Sequence, residues 1–279
     1  MIKSFVEEVE NIIKILIKTR NKPRLKYQKK ESGVINILGT GPSFSQSIKE
    51  LMDQKSGKSF AVNDFASSDY FLKIKPEYYI LVDNAYWQPA ERCTQRDFEL
   101  REKTFQNFLS VDWPMTIIIP SEVYSKKTFS NNIINNNITF LPLIRTNLLY
   151  TGSSLFFKYL KKNFGGYFNN ILACAIYSSI NLGFEEIRIY GAEHSWTKDI
   201  RVDDKNRVCT IKRHFFESDS ELVPWLDSDG KPFTMDVILH SLARTFQAYK
   251  LLHIYAELMG VKIFNYTPES FIDSFQRRK

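Results

Sequence analysis

Short apolar runs alternate with longer amphipathic stretches along most of the chain. Residues 34–38, 58–62, 78–82, 116–119, 138–141, 186–190 and 261–265 are rich in β-branched and aromatic side chains, and Gly, Pro, Asn or Asp flanks most of them. That pattern predicts strands. Between them, residues 44–52, 87–109, 155–162, 171–182 and 235–259 carry helical spacing or helix-forming composition. Asn169 and Asn170 are placed to cap the helix over 171–182, and Gly183 and Gly260 are placed to end the two longest apolar helices. Strand and helix in alternation predict an α/β fold, a mostly parallel sheet flanked by helices. Residues 200–202 and 208–211 flank Asp203-Asp204-Lys205-Asn206, which reads as a hairpin turn. The segment around it, 197–233, reads as a flexible lid rather than core.

Residues 1–19 have a further helical pattern, with Ile2, Phe5, Val6, Val9, Ile12, Ile13, Leu16 and Ile17 on one side. Directly after it the charge becomes one-sided. From Lys14 to Lys30 there are eight basic residues and no acidic one, which accounts for the formal net charge of +7. Residues 1–30 are therefore expected to be a basic amphipathic helix and linker, and residues 31–279 the main domain. The helix either lies peripherally on an anionic membrane or packs on the domain or on a second subunit. No basic stripe interleaved with aromatics runs through the main domain, so nucleic acid is not an expected partner. No apolar run reaches transmembrane length, and Glu7, Glu8 and Glu10 interrupt any secretory signal pattern. The three cysteines, Cys93, Cys174 and Cys209, have neither disulfide nor metal-ligand spacing. A cytoplasmic location follows, peripheral to the inner membrane if the helix binds lipid.

The chemistry gathers at the expected strand ends. After the first strand come Gly39-Thr40-Gly41-Pro42-Ser43 and then a helix, a loop whose free N–H groups and helix dipole would favour a phosphate. The second strand ends at Asn63-Asp64 and the third at Asp83-Asn84, side chains able to bind ribose, base or sugar. In open α/β sheets ligands sit beyond the carboxyl ends of strands, so these residues should converge. The strand over 186–190 delivers Gly191-Ala192-Glu193-His194-Ser195-Trp196, an acid, an imidazole and a hydroxyl in succession. The same residues also suit ordinary turns, caps and a structural histidine. Asp227-x-Asp229 precedes Gly230 and reads as a turn, so no metal site is expected. Of four histidines, only His194 and His214 lie outside the last long helix. Imidazole titrates near operating pH and suits a general base. His194 is the first choice, with Glu193 to orient it or to bind donor hydroxyls, and His214 on the lid is the second.

Three stretches together resemble a family. They are residues 37–43 with Val62-Asn63, residues 182–193 (LGFEEIRIYGAE), and residues 260–270 (GVKIFNYTPES). Their order resembles that of the bacterial sialyltransferases of the Campylobacter type and their relatives, which include motility-associated flagellin glycosyltransferases and a pterin diphosphokinase-like group. The resemblance covers roughly residues 34–275. It implies a single Rossmann-like domain with a lid, a CMP-activated sugar as donor, inversion at the anomeric carbon and no required metal or cofactor. It also implies a glycan or glycolipid acceptor, as in lipopolysaccharide or capsule synthesis. By the same resemblance Gly39, Thr40, Gly41, Pro42 and Ser43 hold the CMP phosphate and ribose, Asn63 contacts the nucleotide, and Asp83 or Asn84 falls where the family uses an Asn near the donor; Asp64 and Asn170 are further nucleotide-binding candidates. Gly191 ends the matching strand. The family's Thr-Ser-Gly before the buried helix is Asn170-Ile171-Leu172 here, its phosphate-contacting tyrosine aligns with Ser195, and its lid histidine falls near Lys231. Two other functions remain open: pyrophosphoryl transfer to a pterin with ATP and Mg²⁺, and a non-catalytic nucleotide-binding module of an envelope-assembly complex. A homo-oligomer is compatible with each.

Overall fold

The computed structural model describes residues 2–19, 22–23, 31–54, 56–146, 148, 150, 152–165, 168, 170–212, 221–227 and 230–278. The strands are β1 (Val34–Leu38), β2 (Lys58–Val62), β3 (Tyr78–Ile80), β4 (Met115–Pro120), β5 (Ile138–Leu143), β6 (Glu186–Tyr190), β7 (Arg201–Val202), β8 (Val208–Lys212), β9 (Glu221–Pro224), β10 (Lys262–Asn265) and β11 (Gln276–Arg277). The helices are α1 (Ile2–Thr19), α2 (Phe44–Gln54), α3 (Phe71–Ile74), α4 (Gln95–Leu109), α5 (Ser121–Lys126), α6 (Thr128–Asn131), α7 (Ser154–Lys161), α8 (Ile171–Leu182) and α9 (Met235–Met259). Eight strands form one sheet in the order β11-β10-β6-β1-β2-β3-β4-β5, with every neighbouring pair parallel. The α/β architecture expected from the alternation of elements is the one observed.

Parallel strands covered on both faces must be apolar on both sides. Ile35, Ile37, Phe60, Val62 and Ile80 face a core shared with α7, α8 and α9. Leu38, Ala61, Tyr79, Ile117 and Tyr190 point the other way, into a core with α2, α3 and α4. Helix α8 is the most enclosed element: ten of its twelve residues are buried, so it is held by packing rather than by an amphipathic face. Each large side chain buried there is worth roughly 1.5–3 kcal/mol. Its ends are those read from sequence, since Asn170 Oδ1 accepts from the Leu172 and Ala173 N–H groups, and Gly183 takes the left-handed closing position at φ 105°.

Three features differ from the sequence reading. Around the expected hairpin, residues 201–212 and 221–224 pack rather than only flank a turn. β7, β8 and β9 form an antiparallel sheet, and Val208 packs with Ile238 and Leu242 of α9 beside Trp196 and Trp225. β9 was hidden because its apolar residues are few. The Asn-rich stretch 130–137, which reads from sequence as an exposed loop, also braces its surroundings: the Asn135 side-chain amide donates to the Phe108 and Val111 carbonyls at 3.1 and 2.9 Å, tying the end of α4 to the sheet. Residues 87–94, expected as the start of the helix over 87–109, precede α4, and among them only Ala90–Arg92 form a short 3₁₀ turn. Among the described residues no helix is long and apolar enough to cross a membrane.

Candidate functional site

The chain order of the sheet reverses between β1 and β6. β1 leads to β2 on one side, and after β5 the chain returns through α7 and α8 to β6 on the other. In open α/β sheets ligands bind at the carboxyl edge beside such a reversal. The two glycine turns singled out from sequence lie there and touch each other. Gly39 N–H donates to the Tyr190 carbonyl and Gly41 N–H to the Gly191 carbonyl, each at 2.9 Å. Ser43 N–H, at the entry to α2, donates to Glu193 Oε1 at 2.5 Å. Glu193 Oε2 sits so close over the loop that a Cβ on Gly41 would lie 1.6 Å from it. The carboxylate therefore occupies the anion position at the helix N-terminus. This corrects the expectation of free amides: the N–H groups of Gly39, Gly41 and Ser43 are engaged within the protein. Thr40 and Ser195 flank the two turns and are half-buried, and Pro42 is exposed.

One strand over, Asn63 holds left-handed backbone at φ 42°. The Tyr79 hydroxyl donates to the Asn63 carbonyl and accepts from Ala66 N–H, clamping the turn. Tyr86 donates to Asp64 Oδ1. Burial, with the Asp64 carboxylate beside it, pushes the Tyr86 phenol well above its usual range, so it stays a donor. Two side-chain oxygens at this edge, Ser43 Oγ and Asn63 Oδ1, are buried without a hydrogen-bond partner. Such groups cost about 1–3 kcal/mol each unless something pairs them. At the end of β3, Asp83 caps its own turn through Ala85 N–H. Asn84 Oδ1 accepts from Trp87 Nε1 and from Arg145 at 3.2 and 3.3 Å, which leaves its amide nitrogen facing outward. Arg145 also donates to the Val82 carbonyl at 3.0 Å and to Glu122 at 2.7 Å. The sequence reading missed Arg145, although its place two residues beyond β5 obeys the strand-end rule that selected the others. A groove of about 410 Å³ runs alongside, lined by residues that include Tyr86, Trp87, Arg101 and Phe105.

His194 also holds left-handed backbone, at φ 49°, so it departs from Glu193 and faces α9. Its Nδ1 lies 2.9 Å from the Tyr249 hydroxyl, and its ring packs on Trp196 with centroids 4.2 Å apart. Tyr249 in turn donates to Asn170 Oδ1 at 2.9 Å. Asn170 is oriented by its capping bonds, so its oxygen can only accept, and Tyr249 spends its one proton there. The Tyr249 oxygen must then accept from His194 Nδ1–H, which leaves the lone pair on Nε2. The orienting partner of His194 is thus Tyr249 backed by Asn170, not Glu193, whose carboxylate is bound to Ser43. Desolvation lowers the imidazole pKa from 6.5 to about 3, so without ligand the ring is neutral throughout the physiological range. The expectation of a base titrating near neutrality does not hold for this state.

A stability measurement follows from that shift. Between the unfolded value near 6.5 and the folded value near 3, only the unfolded chain binds the proton, so acid removes stability through this window. The slope from this one group approaches ~1.4 kcal/mol per pH unit. Urea unfolding of the wild type and His194→Gln from pH 7 to pH 4 should show a component of acid sensitivity that the variant lacks. Parallel curves would mean that the imidazole titrates normally.

His214 lies outside the described residues, as do Ser228 and Asp229. Asp227 accepts from Lys231 N–H at 2.9 Å, as expected of a turn. Among the described residues no group of three or more His, Cys, Asp or Glu side chains converges on a common point.

No protein-family model matches the chain, and no curated protein matches it. Among solved structures it is similar to a MAf glycosyltransferase from Magnetospirillum magneticum AMB-1, with 12% identity and a TM-score of 0.53 over 92% of this chain. The chain spans only 35% of that protein's length. An enoyl-acyl carrier protein reductase aligns with a TM-score of 0.20 and 10% identity over 88% of this chain and 63% of its own, too weak a likeness to carry an argument. The fold therefore resembles part of that of the MAf glycosyltransferase.

Proposed function

We propose that this chain is an inverting glycosyltransferase that uses a CMP-activated sugar, of the sialic or another ulosonic acid type, to extend a bacterial surface glycan without a required metal. The observation that carries the reading is the pair of buried, unpaired oxygens, Ser43 Oγ and Asn63 Oδ1, at the carboxyl ends of adjacent strands beside the switch point. Ribose hydroxyls and the cytosine amino group are donors that would complete them. Because the loop amides are already engaged, the nucleoside rather than the phosphate is placed over Gly39 to Ser43. The leaving phosphate falls to the hydroxyls of Thr40 and Ser195, and the outward amide of Asn84 to the donor sugar. In the transfer, the acceptor hydroxyl oxygen bonds to the anomeric carbon as the bond to the CMP phosphate breaks. His194 Nε2 takes the acceptor's proton, and the negative donor phosphate raises the basicity of the imidazole as it binds. The groove beside Trp87 offers an aromatic face and polar rim for the acceptor glycan.

Incubation with a panel of CMP-sugars in EDTA tests the reading: release of CMP with transfer to an acceptor is expected. A strict requirement for ATP and Mg²⁺ would instead point to the diphosphokinase, and no turnover with tight CMP binding to a nucleotide-binding module. Ser43→Ala gives a sharper check. Removing an unpaired buried hydroxyl should leave stability unchanged or raise it by about 1 kcal/mol, while CMP affinity in calorimetry falls about tenfold. Unaltered affinity would remove Ser43 from the site.

A further inference from the structure

Helix α1 rests on the domain by one narrow face and turns its apolar stripe away. Asn11 is fully buried and Ile15 is 7% exposed, and the Ser153 hydroxyl donates to Glu8 Oε2 at 2.9 Å. Residues 8, 11 and 15 share one side of the helix at three- and four-residue spacing. Val6, Ile13, Leu16 and Ile17 lie round the other side and are 57, 50, 64 and 69% exposed. A helix that serves only its own domain buries such a stripe. This one presents it to solvent.

What covers the stripe is indicated by charge. The chain from Lys14 to Lys30 carries eight basic residues and no acidic one. A second copy of the chain would bring a second basic run of the same sequence, and like charges oppose that pairing. A bilayer with anionic headgroups supplies both complements, an apolar interior for the aliphatic stripe and negative charge for the basic run. Helix α1 is not long and apolar enough to cross a membrane, so it would lie in the interfacial plane.

The anchor points set the orientation. Ser153 caps the N-terminus of α7, which starts from the carboxyl side of β5. Ser121, directly after β4, donates to the Pro23 carbonyl at 3.0 Å. Both contacts lie at the carboxyl edge of the sheet, the edge that carries the glycine turns. We infer that α1 docks the protein on an anionic membrane surface, with the carboxyl edge of the sheet alongside that surface. The inference does not depend on the proposed transferase chemistry.

Flotation of the full chain with phosphatidylcholine vesicles, with and without phosphatidylglycerol, tests it. Binding should require the anionic lipid and weaken with added salt. Leu16→Glu with Ile17→Glu should reduce it about tenfold or more at an unchanged melting temperature, because both side chains are exposed. Lys22→Glu with Lys26→Glu should weaken it while leaving the stripe intact. Failure of the wild type to float, equal binding to pure phosphatidylcholine, or wild-type binding by both variants would overturn the inference. So would a wild-type dimer, seen by light scattering, that ignores vesicles and becomes a monomer in the Leu16→Glu, Ile17→Glu protein.

Discussion

Replacing His194 with alanine is expected to lower kcat by ~10²–10⁴-fold, the usual loss for a general base, while CMP affinity stays within a few-fold of wild type. The imidazole is held by the Tyr249 hydroxyl on Nδ1 and by the Trp196 ring on its face, neither of which forms part of the glycine turns. Because the free protein keeps it at a pKa of about 3, the profile of kcat/KM, which reports the free enzyme, should show no inflection near 6.5. Tyr249→Phe provides the paired test. It keeps the ring packing but removes the acceptor for Nδ1–H, so the proton can move to Nε2 and the lone pair is lost from the reactive side; about a tenfold drop in kcat is expected at unaltered KM. A purely structural His194 would give a different pattern, with melting temperature, CMP affinity and rate falling together. An acid limb near 6.5 that survives in His194→Ala would assign the base to another group, His214 first.

The elements of the main sheet were legible because a buried parallel strand and its covering helix each write a local signal. Val34 to Leu38 ends at glycine, and residues 171–182 run from an asparagine cap to a glycine stop, and the structure keeps those limits. The positions of the candidate residues were legible for the same reason, since strand ends in an open sheet share one edge. What those side chains do there was not. Glu193 and Ser43 are 150 positions apart and Tyr249 and Asn170 are 79 apart, and no local pattern announces that a carboxylate will close the helix N-terminus or that a phenol will orient an imidazole. Tyr249 lies within the helical pattern of residues 235–259, which says nothing of an imidazole beside it. The neighbours Glu193 and His194 read as a pair, yet with the left-handed turn at His194 one meets the entry of α2 and the other meets α9. α1 shows the same limit: its spacing identified the helix, but not which face the domain would bury.

Gly39→Ala is expected to destabilise the fold by about 3 kcal/mol or more, at the upper end of what overpacking costs. The reason is room rather than backbone angle. A Cβ on Gly39 would stand 2.3 Å from the Gly191 carbonyl oxygen and 3.0 Å from that of Tyr190. Both are backbone atoms of the β6 end, so no side chain can swing aside, and β1 must separate from β6 where Gly39 N–H meets the Tyr190 carbonyl. Gly33→Ala, at the other end of the same strand, is the control. Gly33 has φ +75° with nothing within 4 Å of a new Cβ, so the change costs only the left-handed penalty of roughly 1–2 kcal/mol. Urea unfolding of the two variants separates the effects, and CMP binding should be lost in Gly39→Ala even below its unfolding transition while surviving in Gly33→Ala. Equal losses of stability would mean that the two glycine turns do not meet as closely as their hydrogen bonds require.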